Sequence, residues 1–370
     1  MSSSTAMVKF AKCEGFMQTL RERVDGHFTS QQISKRDIPA MYLKTLVILS
    51  WFAASYVGLV FFASTWPVAL FLSVSLGVSM AAIGFNIQHD GGHGAYSDSR
   101  LVNHVMAFTL DMLGGSSFIW KRTHNVIHHS YTNVTGVDGD IDLGFLGRLS
   151  PHQPRYWFHR FQHFYLWFLY GFITIKWQFR DDFQALFTGR IHGTDVPRPN
   201  ALELTQLIVG KLLFLTLAFG VPHCFHAWYY VALWFFVASF AQGVLLSIVF
   251  QLAHCVQEAT FPMPDDASHR IENAWAVHQV ETTVDFARTS RIVNWLTGGL
   301  NYQIEHHLFP QICHVHYPAI AGIVERTSAE FGVHYYAHQT LWQAVRSHYT
   351  WLRQMGRPDH SVAAATAAAA

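Results

Sequence analysis

Residues 45–89 read TLVILSWFAASYVGLVFFASTWPVALFLSVSLGVSMAAIGFNIQH: 45 positions between Lys44 and Asp90 without one Lys, Arg, Asp or Glu. A helix needs about 20 apolar residues to cross a bilayer, so this stretch holds two spans and a tight turn. Ser64-Thr65-Trp66-Pro67 marks the turn, because proline starts a helix well and ends its predecessor. A second uncharged stretch of 46 residues separates Lys211 from Glu258 and turns at Gly220-Val221-Pro222-His223. Spans are expected near 44–63, 67–87, 204–220 and 226–252. The third is the least clean, since Lys211 sits inside it.

Two hairpins return every polar segment to one side. Segment 1–44 carries seven Lys and Arg, 90–211 eleven and 258–370 seven, which is the whole complement of 25. Basic residues favour the cytoplasmic side, so both termini and all polar segments are expected there. The expected fold is an all-α integral membrane protein, with four transmembrane helices in two hairpins beneath a cytoplasmic helical cap. It divides into a cytoplasmic N-terminal segment (1–43), a membrane domain (44–345) and a partly disordered C-terminal tail (346–370) that ends in an alanine run. The start, Met1-Ser2-Ser3-Ser4 with charges following, reads as lacking a cleavable signal peptide. The uncharged aromatic run Phe161–Ile175 is short for a span, and is expected to lie on the bilayer surface.

Composition excludes several classes. Apolar residues make up 51% of the chain and charged residues 13%, half the roughly 25% of a soluble domain. So few charges poorly cover a water-soluble globule of this size, and disorder over the body of the chain would need the opposite balance. A net charge of +1 argues against a nucleic-acid binder. Cys13, Cys224, Cys255 and Cys313 form no CxxC pair, so neither a disulfide framework nor a cysteine zinc site is indicated. The 24 histidines, nearly as many as the lysines and arginines together, need a chemical reason.

They cluster in three boxes: His89-Asp90-Gly91-Gly92-His93, His124-Asn125-Val126-Ile127-His128-His129 and Gln303-Ile304-Glu305-His306-His307. Positions 89/93, 124/128 and 303/307 are i,i+4 pairs that share a helix face. Neutral imidazole is the commonest metal ligand. Eight donors exceed what one tetrahedral zinc requires, and nitrogen-rich ligation with open positions suits a pair of iron ions doing oxygen chemistry. His254 closes the fourth span, where an ionisable group is functional by default or a cap facing the headgroups.

The three boxes on this layout resemble the membrane fatty acid desaturases, and from about Gly84 to Thr340 the chain is most similar to their front-end subgroup. The segment Gly298-Gly299-Leu300-Asn301-Tyr302-Gln303-Ile304-Glu305-His306-His307-Leu308-Phe309-Pro310 carries that likeness, with Gln303 where most desaturases have histidine. Trp120-Lys121 and Tyr131-Thr132-Asn133, flanking the second box, fit the same group. The resemblance implies iron ligation by His89, His93, His124, His128, His129, His306 and His307, with Gln303 as the variant eighth position and His254 recruited from the span before the third box. It further implies two non-haem iron ions, O2 as co-substrate and insertion of a cis double bond on the carboxyl side of an existing one. The fatty acyl substrate would be linked to lipid, coenzyme A or carrier protein. No His-Pro-Gly-Gly haem motif occurs, so electrons are expected from an external donor, ferredoxin or free cytochrome b5, with its reductase.

Asp90, Asn125, Asn301 and Glu305 stand beside box positions, where they either orient imidazoles by hydrogen bonds or cap helices and meet solvent. Asp138-Gly139-Asp140-Ile141-Asp142 fails as a calcium loop, because its sixth and twelfth positions are Leu143 and Leu149 instead of glycine and glutamate. A turn paired with nearby arginines is expected. His278 is read as lining the substrate entrance and not as a ligand, and Cys313-His314-Val315-His316 as structural. The rivals are a di-iron hydroxylase, which shares the boxes, a haem electron-transfer protein and a metal transporter. The last would want carboxylates at mid-membrane, and both long windows lack them.

Overall fold

The computed structural model describes residues 8–11, 15–191 and 194–358; Cys13 and the terminal alanine run lie outside them. Among the described residues, four helices are long and apolar enough to cross a membrane: Pro39–Phe62, Trp66–His93, Ala201–His223 and Trp228–His254. Pro39 and Pro67 sit in the first turns of their helices, where a missing N–H costs nothing. Trp66, Trp228 and Tyr229 are exposed at the outer ends, as aromatic residues of an interfacial belt are. The second and fourth spans run past the expected 87 and 252 to His93 and His254. The first box and His254 are therefore the ends of continuous rods.

The second span is the central one, with 56% of its apolar window buried, against 28% for the first and 22% for the third. It lies along the fourth span, where a Cβ on Gly77 would collide with the Ala238 carbonyl. Small residues at such contacts let helix backbones approach closely. Lys211, the blemish in the third span, is buried and fully employed. Its Nζ donates to Asp182 at 2.7 Å, to Gly114 O and to Gln178 O. Paired in this way, a charge is tolerated at membrane depth. A small apolar cleft lies between the spans, lined by Tyr56, Met80, Leu113, Trp234 and Phe235 among others.

The aromatic run 161–175 belongs to a longer helical rod over 157–188. Trp157, Phe161, Phe164, Phe168, Phe179, Phe183 and Phe187 are exposed along it at three-, four- and eleven-residue spacings, which make one apolar stripe. Its other side crosses the fourth span: Thr174 Oγ1 donates to Ser239 O, and Ser247 Oγ donates to Tyr170 O. The rod thus packs on the middle of a span as well as presenting an aromatic face outward.

The cap closes over the inner ends. Helix Phe16–Gln31 buries Phe16, Leu20, Val24 and Phe28, a four-residue stripe that shares a core with Ile320 and Val324 of helix Tyr317–Glu330. The N-terminal segment is therefore packed onto the region that follows the third box. Helix Leu341–Met355 crosses the expected boundary at 345/346 and is clamped to the end of the fourth span. His348 bonds Tyr170 OH through Nε2 and Cys255 O through Nδ1, and Trp351 Nε1 donates to Leu149 O. The described strands form three two-stranded pairs, 9–10 with 270–271, 190–191 with 194–195, and 285–286 with 337–338.

Candidate metal centre

The three boxes and the end of the fourth span carry histidine to one place, and local helix geometry explains how. π-helical turns over Gly84–Gln88 and Lys121–His128 run directly into the first and second boxes. A wider turn with i→i+5 bonding recurs at functional sites, and here it lets His124, His128 and His129 turn toward a common point. The third box is the short helix Gln303–Leu308, in which every residue is buried.

The ligand atoms group in overlapping sets whose members lie within 4.8 Å of one another: His89, His93, His124 and His306; His128, His254 and His307; and His129, His306 and His307. Gln303 joins the second set, its amide nitrogen 3.0 Å from His254 Nε2. All nine sequence candidates are thus brought together. Buried nitrogens of His93, His128, His129, His254, His306 and His307 have no hydrogen-bond partner. One such orphan is costly, and a cation bound among these rings would satisfy such nitrogens. The donor set fits a nitrogen-ligated transition metal.

The opposite ring atoms are held. His128 Nδ1 lies 3.0 Å from Asp138 Oδ2, His307 Nδ1 lies 2.8 Å from Gln279 Oε1, and His306 Nδ1 lies 3.2 Å from the Tyr317 hydroxyl. Such partners fix the tautomer and the ring direction of metal-binding histidines and raise their basicity. Burial, with neighbouring imidazoles adding to it, holds His129, His306 and His307 well below the ordinary histidine range. Neutral rings keep their lone pairs available to a metal. Burial works the same way on His128, but Asp138 and Asp140 outweigh it and leave that ring more basic than usual.

The acidic turn lies against the second box. Asp138 accepts from Asn133 N as well as facing His128, and Asp140 sits 3.7 Å from both His124 and His128. The signal in the sequence was an acid pair ten and twelve residues after His128. Gln279 and Tyr317 had no signal of their own. Asn133, at φ 60°, takes a left-handed conformation that asparagine tolerates; its amide donates to His254 O and Thr282 O and so ties the second box to the fourth span.

The four residues beside box positions do other work than orienting box imidazoles. Asp90 Oδ2 accepts from His314 Nδ1 at 2.9 Å, His314 Nε2 lies 2.9 Å from Lys44 Nζ, and Asp90, Cys313 and His314 bring three donor atoms within 4.8 Å of one another. Asn125 donates to Gly92 O and so links the first two boxes through the backbone. Asn301 donates to Phe286 O. The Tyr335 hydroxyl lies 3.0 Å from Glu305 and 2.6 Å from Asp285, its one proton serving the pair, and burial first, then Asp285, pushes the Glu305 carboxyl well above the usual range. His278 is buried against Phe10, ring centroids 5.1 Å apart, and its surroundings push it down to about 4, burial being the main cause.

Comparison with known proteins adds the chemistry. The fatty acid desaturase family profile matches residues 64–339. An sn-1 linoleoyl-lipid 6-desaturase of Arthrospira platensis is 40% identical over 359 residues, covering 96% of each chain. Its counterpart in Synechocystis sp. is 39% identical over 95% of this chain and 98% of its own. An acyl-lipid (8-3)-desaturase of Physcomitrium patens is 41% identical over 94% of this chain and 72% of its own.

Proposed function

We propose, for a chain that belongs to the fatty acid desaturase family, that the converged histidines hold two non-haem iron ions and serve front-end desaturation of a lipid-linked acyl chain. The protein is a membrane-inserted oxidoreductase that desaturates fatty acyl chains, and its family uses iron and O2. The single observation carrying the two-ion reading is the set of overlapping histidine groups with buried, unpartnered nitrogens aimed inward.

The proposed ligands are His89, His93, His124, His128, His129, His254, His306 and His307, with Gln303 at the variant position. When bound, the metal pair supplies activated oxygen, an oxidant strong enough to take hydrogen from an unactivated methylene. The chain's own residues do the rest. Asp138, Gln279 and Tyr317 hold ring nitrogens in place, and the buried cap keeps bulk water from the reacting carbons. The cleft between the spans offers room for the methyl end of the acyl chain: Met80 in its wall lies nine residues before His89, about 14 Å along the helix. Two electrons per turnover come from a separate carrier, ferredoxin or free cytochrome b5, and its reductase. The histidine boxes and both termini face the cytoplasm, in keeping with the basic residues of the polar segments.

Expression in a host fed defined unsaturated acids tests the reading. The expected product has a new cis double bond on the carboxyl side of an existing one, located by mass spectrometry in the lipid fraction. A hydroxylated product would favour the hydroxylase alternative, and unchanged acids would sink the proposal.

A further inference from the structure

The centre is not buried evenly. On the side of the first box, Gly92, His93, Gly94, Trp120 and Asn125 are all partly exposed, and Lys121 is fully so. Trp120 occupies the middle of this opening. Its indole stacks on His124 with centroids 4.6 Å apart and planes at 20°, and it meets His93 at 5.4 Å and His89 at 5.7 Å edge-on. A Cβ at position 92 would strike the indole, so glycine there is what lets the ring lie against the box. One aromatic system touches three proposed ligands and also reaches the surface.

The rim is cationic and polar. Lys121 follows Trp120 directly, and Arg122 Nε donates to Asp195 O at 3.4 Å. Arg198 shares a small cleft with Phe118 and Ile119, the residues just before Trp120. Such a rim suits an acidic protein, because complementary charge steers encounter and orientation. It suits an acyl chain poorly, since the apolar cleft lies between the spans.

We infer that this face is the docking surface for an acidic one-electron carrier protein, and that the Trp120 indole relays each electron to the imidazoles of His124 and His93. The inference rests on the desaturase reading. In each transfer the reduced carrier loses one electron and one ferric ion becomes ferrous, while the indole is unchanged before and after; two transfers serve one turnover. Ring-on-ring contact shortens the through-space step from indole to ligand to van der Waals distance.

The test is anaerobic reduction of the iron-loaded, full-length protein in detergent, followed optically by stopped flow. Pre-reduced ferredoxin serves as carrier in one arm and dithionite as small reductant in the other. Trp120→Leu is expected to slow reduction by ferredoxin roughly tenfold, about 1.4 kcal/mol of barrier, and Trp120→Phe less. Dithionite reduction and iron content should match wild type. Lys121→Glu with Arg198→Glu should raise the ferredoxin concentration needed for half-maximal rate and flatten its salt dependence. Wild-type ferredoxin kinetics in Trp120→Leu would overturn the relay. So would equal slowing with dithionite or loss of iron, either of which makes Trp120 only a support for the histidines. A shift in double-bond position with unchanged reduction would reassign the face to substrate. Wild-type protein that ferredoxin reduces but that forms no double bond would instead defeat the desaturase reading.

Discussion

The two halves of the histidine centre are held by different means. Around His128, His254 and His307 each ring has a polar side chain close to one nitrogen: Asp138, Gln303 and Gln279, at 2.8 to 3.0 Å. Around His89, His93, His124 and His306 rings lean mostly on rings, and the Tyr317 hydroxyl, 3.2 Å from His306 Nδ1, is a polar support. His89 and His306 centroids are 4.4 Å apart, His93 and His129 4.7 Å, and the Trp120 indole closes the side. The nearest carboxylate there, Asp140, stands 3.7 Å from His124. Hydrogen bonds specify direction, which suits a closed pocket, whereas packing specifies only position and leaves an edge accessible. A centre that must exclude water and yet receive electrons gains from having one half of each kind.

Removing a ring should be the largest effect, and it should be equal in the two halves. His93→Ala in the open half and His128→Ala or His307→Ala in the closed half are each expected to abolish desaturation. Membrane insertion should persist, because it depends on the uncharged windows. Metal analysis sharpens the comparison: each variant should lose iron from its own half and keep part of the rest. Full activity in any of the three removes that residue from the ligand set, and zinc as the sole stoichiometric metal of active wild type would remove the iron.

Removing a support should separate the halves. Asp138→Ala is expected to cost about 10- to 100-fold in iron affinity, the range for groups that orient metal-binding histidines. Asp140→Ala should cost less, given its longer approach. Competition with a chelator measures both, and equal losses would erase the distinction between a hydrogen-bonded half and a packed one. Gly92→Ala probes the packed half alone. Its Cβ has to displace the Trp120 indole, and overpacking of this kind costs about 1–3 kcal/mol. Thermal unfolding should show that loss, with the optical signature of the bound metal perturbed; an unshifted melting temperature would mean the indole moves freely.

The same contrast explains what could be read in the sequence. Spans, hairpins and boxes were legible because they rest on local regularities, charge-free length and i,i+4 spacing. So was the convergence of nine distant side chains, through the family resemblance. The supports were not. Asp138 lies in a turn that by itself suggests only ion pairing, and Gln279 lies 28 residues from the His307 it touches. Their roles depend on how the cap folds back, which no local pattern encodes. Asp90 shows the converse: it is adjacent to His89 in sequence, yet its carboxylate meets His314. Neighbours in a helix point apart, so proximity along the chain is a poor guide to what supports a ligand.

Gln303 carries the smallest expected effect and bears most directly on how the closed half works. Its side chain is 4% exposed, and its amide nitrogen faces His254 Nε2 at 3.0 Å, while His254 Nδ1 is buried without a partner. An amide presents a neutral donor on one atom and an acceptor on the other, whereas imidazole has one of each only in its neutral tautomers. Replacing Gln303 by histidine sets two rings face to face across that distance and gives up the amide contact that sets the direction of His254. A hydrogen bond of this kind is worth about 0.5–1.5 kcal/mol net, so Gln303→His should lower activity by up to about tenfold instead of improving a site otherwise made of histidine. Gln303→Ala leaves His254 without its partner and should lose most of the activity, near the upper end of that range. Both are measured as desaturated product per chain at matched protein and iron content. Alanine at the wild-type rate would show that position 303 does not direct His254, and the closed half would then owe its geometry to Asp138 and Gln279 alone.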